Sequence, residues 1–248
     1  MTGTPRVSFR LPLGEARVVE GAAGEVSVVL DGRESAVGRF IVEMRGDELV
    51  IEPDRTSAIR WSSVDLTIRL GEPGDIRARL TSADLKATID LRSVHVESAS
   101  GDIVIGDVLA DVTIHSASGD VRLGKVGGRL DAAAASGDVH SDTVAGGASV
   151  KSASGDILLG EASGDVVIKS ASGDVSVSRF DGSWLDVKSL SGDVTIGVTP
   201  GRRFEVEFQT LSGDVRTDFP VSSGGDGGTG RLNLKTVSGD IVVKGARR

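Results

Sequence analysis

Apolar and polar residues alternate along most of this chain, and the alternation restarts at fixed intervals. In the second half each restart is marked by Ser-Gly-Asp, with the glycine at Gly101, Gly119, Gly137, Gly155, Gly173, Gly192, Gly213 and Gly239. The first four steps are each eighteen residues, and the later ones widen to nineteen, twenty-one and twenty-six. Counting that glycine as zero, positions +2 and +4 carry pairs such as Ile103/Ile105, Val121/Leu123, Ile157/Leu159 and Val194/Ile196. Positions −7 and −5 carry Val94/Val96, Val112/Ile114, Val166/Ile168 and Leu185/Val187. Both pairs have a period of two and are rich in β-branched residues, which predicts two half-buried strands per repeat. Thr113, Lys151, Lys169, Lys188 and Lys235 fall between the apolar positions and are expected to face water. A helical reading fails, because no i, i+3, i+4 stripe persists and glycine recurs where a helix would break.

Two corners separate the strands. One is Ser-Gly-Asp; the other lies nine residues on, at Gly128, Gly146, Gly164 and Gly182. Position +7, just before the second corner, is another apolar column: Val108, Val126, Val144, Ala162 and Phe180. Equal spacing sets each residue beside its counterpart one repeat later, in parallel, in-register ladders. The predicted fold is therefore all-β: a parallel β-solenoid (β-helix) of about eighteen residues per coil with two main strands per coil. It is right-handed by the usual chirality of parallel crossovers. Residues 1–80 lack the repeat and are expected to form an N-terminal β cap and first strands, with strands at 25–31, 39–43, 48–52 and 64–70. Residues 81–248 are the repeat solenoid, continuous with the cap in one elongated unit. Ser82-Ala83-Asp84 reads as a degenerate first corner. Late in the chain, coils expand around Pro200-Gly201-Arg202-Arg203 and the stretch 222–230, SSGGDGGTG, the latter expected as a surface loop.

Composition narrows the function. The net charge is −8, and no basic patch is expected that could neutralise phosphates, which argues against nucleic acid and against anionic membrane surfaces. There is no cysteine, so disulfides and thiolate metal sites are excluded. No stretch reaches the ~20 apolar residues of a membrane span. With Met1 as a native start and no apolar leader after it, a cytoplasmic location is expected, and a cell-surface one if the chain is truncated.

Several columns carry chemistry-bearing side chains. The Asp column (Asp102, Asp120, Asp138, Asp156, Asp174, Asp193, Asp214, Asp240) supplies one carboxylate per corner, short of the Gly-Gly-x-Gly-x-Asp of calcium repeats. Each Asp is expected to accept backbone N–H bonds at its own turn. The Ser column at −1 (Ser100, Ser118, Ser136, Ser154, Ser172, Ser191, Ser212, Ser238) has no G-x-S-x-G elbow and no nearby His, and is expected as a hydroxyl ladder closing the turn. His95 and His115 lie one coil and two residues apart, with Glu97 beside His115 by register, and form the one triple that invites a metal; His140 stands elsewhere. Paired carboxylates for glycoside cleavage would have to come from Asp111, Asp131 and Asp186, which share register only loosely, with Trp61 and Trp184 as sugar platforms. No set of these converges, so no catalytic, cofactor or metal residue is assigned and no cofactor is expected.

The runs SASGDIVIGDVLADVTIHSASGDVRLGKVGGRL and SASGDILLGEASGDVVIKSASGDVSVSRFDGSWLDVKSLSGDV resemble the bacterial β-strand-repeat "putative adhesin" domain family, of otherwise unknown function. The resemblance covers roughly residues 60–245 and implies a β-solenoid with no catalytic residues to transfer. The function expected is non-enzymatic: a rigid solenoid scaffold or adhesin that presents polar faces to a protein partner or self-assembles. The alternative is a module binding cell-surface polymers (glycans) if exported, and behind that a solenoid carbohydrate-active enzyme. Neither nucleic-acid binding nor membrane insertion is expected.

Overall fold

The computed structural model describes residues 4–54, 62–218 and 230–246, and the chain divides into two compact units, Met1–Gly124 and Lys125–Arg248. Among the described residues are twenty-two strands and one short helix. The first unit runs β1 (Arg6–Glu20), β2 (Val26–Gly32), α1 (Glu34–Val37), β3 (Phe40–Arg45), β4 (Glu48–Pro53), β5 (Val64–Leu70), β6 (Asp75–Ala87), β7 (Ser93–Ser100), β8 (Ile103–Ile105) and β9 (Val112–Ser116), and ends within β10 (Val121–Val126). The second continues with β11 (Leu130–Ser136), β12 (Val139–Val144), β13 (Ala148–Ser154), β14 (Ile157–Ala162), β15 (Val166–Ser172), β16 (Val175–Phe180), β17 (Trp184–Ser191) and β18 (Val194–Val198). It closes with β19 (Phe204–Gln209), β20 (Val215–Thr217), β21 (Gly230–Lys235) and β22 (Ile241–Gly245).

The solenoid is most regular in the second unit. There β13 pairs parallel with β15, and β15 with β17, so that Val150, Ile168 and Val187 stack one above another. The facing wall repeats this with β12, β14, β16 and β18. Alternation sends one file of aliphatic side chains inward from each wall, and those files are almost fully buried. The +7 column is buried from Val108 to Phe180, where the chain turns its second corner. Each such buried side chain contributes about 1.5–3 kcal/mol, repeated in every coil.

The ladder starts earlier than the Ser-Gly-Asp pattern indicates. In the first unit β1 pairs in register with β6, from Arg6↔Asp75 through Val18↔Ala87, and the corner is Gly14↔Ala83. Within the span expected as a cap, Arg6–Glu20 is thus a complete coil whose corner reads Leu13-Gly14-Glu15. Its corner consensus is lost, so only the partner strand reveals it. The remaining strands do cap. On the far side of β1, β4 and β5 together make a further parallel coil (Arg6↔Glu48, Ala16↔Leu66). Then β2 closes on β5 and β3 on β4 antiparallel, leaving no long parallel edge there.

Chain order and stacking order also part company at the other end. The expected sequence of corners is 192, 213, 239, each on the one before. Instead β17 pairs directly with β21 and β18 with β22, while β19 and β20 pair on the outer side of β21 and β22. The last coil in sequence sits between its two predecessors. The 222–230 stretch, expected as a surface loop, lies outside the described residues except Gly230, where β21 begins.

The corner glycine is fixed by crowding as well as by its dihedral. At Gly173 φ is +113°, and a Cβ would sit 2.3 Å from the carbonyl oxygen of Gly155 in the coil beneath. Gly173→Ala is expected to cost roughly 3 kcal/mol or more, from left-handed strain plus a backbone clash. Gly46→Ala, at φ +68° with open space around it, is expected to cost only about 1 kcal/mol. Urea unfolding midpoints of the two variants test this, and equal effects would show that stacking does not select the glycine.

Candidate binding surface

The corner carboxylates reach across coils. The Asp102 N–H donates to Asp84 Oδ1 (2.9 Å) and the Asp120 N–H to Asp102 Oδ1 (3.0 Å). In the second unit the N–H groups of Asp156, Asp174, Asp193, Asp240 and Asp214 each donate to the preceding carboxylate in the stack, all at 2.8 Å. The expectation of a bond at each Asp's own turn is corrected: Asp84, Asp102, Asp138, Asp156, Asp174, Asp193 and Asp240 each staple their corner to the next coil in the stack. The order 193, 240, 214 in this ladder follows the rearranged strands. The staple recurs in the capping coil, where the Glu15 N–H donates to Asp65 Oδ1 (3.1 Å).

The serine ladder is also displaced from its expected column. The serines at −1 are exposed. Inside, at −3, stand Ser98, Ser116, Ser152, Ser170, Ser189 and Thr236, all buried. Ser116, Ser170 and Ser189 Oγ donate to the carbonyl two residues on, at 3.1, 3.3 and 3.1 Å. The first serine of S-A-S-G-D therefore closes the turn, while Ser98 and Ser152 Oγ have no partner. Alternation from the buried +2 and −5 positions places −3 inward, a signal available in the sequence.

His95 and His115 do come together, with rings edge-on at 6.5 Å between centroids. Glu97 does not complete a triple: its Oε1 lies 3.3 Å from His95 Nε2 and its Oε2 3.1 Å from Arg79 Nε. The His95 contact, with Arg79 beside it, holds the Glu97 carboxyl below the ordinary glutamate range. His140 pairs with Asp142 (2.9 Å) in the second unit. Beside His95, an open groove of about 520 Å³ in the first unit is lined by Arg6, Asp75, Arg77, Asp111 and Thr113 among others. Asp75 is held there by Arg92 and by Ser93 Oγ at 2.6 Å. The carboxylates considered for glycoside cleavage are not assembled. Asp111 lines that groove, Asp131 is exposed on β11, and Asp186 is buried against Asn233 Nδ2 (2.5 Å) and Lys188 Nζ (3.1 Å). Trp184 lies half-buried under the Arg231 guanidinium, 5.9 Å from its ring centroid, and Trp61 lies outside the described residues.

The expectation that no basic patch exists is corrected, because the register of the strands gathers separate lysines into a row. On the outer face of one wall of the second unit, Lys151, Lys169, Lys188 and Lys235 are in register on β13, β15, β17 and β21. Two residues further along each coil runs an exposed file that is alanine in the earlier coils, Ala153 and Ala171, and then Leu190, Val237 and Leu211. This wall is the candidate binding surface.

Residues 20–244 match the model of the Toastrack DUF4097 family. The chain belongs to that family. No curated protein matches this Toastrack chain. Among solved structures, a "putative adhesin" from Bacteroides fragilis NCTC 9343 is similar over 98% of this chain and 93% of its own, with 13% identity and a TM-score of 0.56. A "putative adhesin" from Parabacteroides distasonis ATCC 8503 covers 98% and 93% at 7% identity, with a TM-score of 0.49. The first of these shows the same fold for the Toastrack chain.

Two outcomes follow from the ladders. Asp156→Ala removes the acceptor for the Asp174 N–H in mid-stack and is expected to lower stability by about 1–3 kcal/mol. Asp214→Ala, in the outermost coil with only an exposed Arg216 pair, is expected to lower it by less than about 1 kcal/mol. Thermal melts distinguish them. Because the folded Glu97 carboxyl is depressed, its pairing stabilises at neutral pH and is lost as pH falls through the folded value. Carboxyl NMR should place the Glu97 midpoint below the ordinary ~4.3, and His95→Ala should move it upward; a midpoint unchanged by that substitution would refute the assignment.

Proposed function

We propose that this Toastrack chain is a non-catalytic binding scaffold that presents its outer walls to a protein partner, a second copy of itself included. One observation carries the reading: the residue columns with catalytic potential are engaged in holding the coils together. Corner carboxylates such as Asp156 and Asp174 accept N–H bonds from the next coil, and the buried hydroxyls of Ser116, Ser170 and Ser189 cap turn carbonyls. A carboxylate held to the backbone in this way is poorly placed to exchange protons with a substrate. The outward positions, which carry no such duty, hold the regular charged and apolar rows.

A second reading is a module for polar surface polymers, favoured by the groove beside His95, whose arginine, aspartate, serine and threonine side chains suit the hydroxyl and carboxyl groups of a glycan. Immobilised full-length protein is expected to retain a specific protein from an extract of the native cell, and glycan arrays report on the second reading. Turnover of a polysaccharide or ester substrate by the purified protein would overturn both.

A further inference from the structure

Around the Ser-Gly-Asp corner of the second unit three rows run side by side along the stacking direction. The lysine row is at −4, the Leu190–Val237–Leu211 row at −2 and the aspartate row at +1. Bridges Ser191↔Ser238 and Ser212↔Ser238 bring the three apolar residues side by side in successive coils. They are 60%, 44% and 80% exposed, an unusual run of aliphatic surface on neighbouring strands. Of the cations, Lys151 and Lys169 have no carboxylate partner among the described residues, whereas Lys188 pairs with Asp186 and Lys235 with Glu207. Of the anions, Asp156, Asp174, Asp193 and Asp240 use Oδ1 for the N–H of the next coil and have no ion pair among the described residues.

An apolar row with cations along one side and anions along the other is complementary to itself. Turn a second copy about a two-fold axis lying along the apolar row and parallel to the stack. Leucine then meets leucine, the lysine row of each copy meets the aspartate row of the other, and each coil faces its own counterpart. A two-fold axis perpendicular to the row in the same plane would set lysine against lysine, so charge selects one orientation. A flat anionic membrane would meet the lysines and be repelled by the aspartates; it lacks this two-sided match.

We propose that this corner is the contact surface of a symmetric homodimer in which copies pack through the Leu190–Val237–Leu211 row with their stacks parallel. This rests on the binding-scaffold reading and specifies its partner. Five coils at ~4.8 Å and five residues at ~3.3 Å outline only about 400 Å² per copy. That places the dimer in the weak, concentration-dependent class.

The chain has no cysteine, which allows a direct test. Leu190→Cys should form a disulfide-linked dimer under mild oxidation, because residue 190 faces residue 190 across the axis, whereas Leu109→Cys, 57% exposed in the first unit, should not. In sedimentation equilibrium the wild type should dimerise as its concentration rises. Leu190→Glu with Leu211→Glu, and Lys151→Glu with Lys169→Glu, should weaken association about tenfold or more. Arg10→Glu with Arg69→Glu, the same charge change at exposed sites without ion pairs among the described residues and away from the groove beside His95, should leave association as it was. Circular dichroism checks that every variant is folded. A wild type that stays monomeric at all concentrations overturns the dimer, as does Leu190→Cys cross-linking no faster than Leu109→Cys. A monomer that instead sediments with phosphatidylglycerol vesicles overturns it in favour of a membrane surface. None of these results decides the wider scaffold reading, which is tested separately by retention of a protein from the native extract and by turnover of a substrate.

Discussion

Close backbone stacking at the Ser-Gly-Asp corner is the constraint on which the rest of the molecule depends. A carbonyl of one coil occupies the space where the next coil's corner residue would carry its Cβ. Only glycine allows that approach, and the approach brings the aspartate within reach of the next N–H. Glycine thus sets the spacing and aspartate locks it. Once locked, strands on both walls are held in register, and the aliphatic files inside have no choice of partner. A one-residue slip would turn every inward valine and isoleucine to solvent.

Much of this was legible in the sequence because a solenoid writes its geometry as a period. The two strands per coil, the second corner and the inward columns could be read by aligning repeats, since an in-register stack turns spatial neighbours into residues eighteen apart. What escaped was whatever broke the period. Arg6–Glu20 is a coil without the motif, identifiable only through its pairing with Asp75–Ala87. The placement of β21 between β17 and β19 depends on a choice of partner among strands of equal apolar pattern. Leu185, Val206 and Leu232 fit one column equally well, so the pattern cannot rank their order.

The chemistry was harder to read than the fold, for a related reason. A repeated Ser or Asp looks like a multiplied functional group, yet in a stack repetition itself creates structural partners. Asp174 bonds to Asp193 and Ser170 caps Ser172, each serving the coil rather than a substrate. Lys151, Lys169, Lys188 and Lys235 could be read one by one as facing water, but charges eighteen or more residues apart leave no cluster in the sequence, and only the register of β13, β15, β17 and β21 gathers them into a row. His95, Glu97 and His115 lie between these cases. Register brought the residues together as expected, but Arg79 from the neighbouring strand claims the carboxylate.

Because β1 lies inside β4 and β5, and β22 lies inside β20, neither the first nor the last strand among the described residues is an edge. Stacking order and chain order therefore differ at that end: β21 and β22 lie between strands that precede them in the sequence. Lengthening this architecture in eighteen-residue steps would keep every inward file aligned, whereas an odd-residue insertion within a strand would turn its inward side chains to solvent.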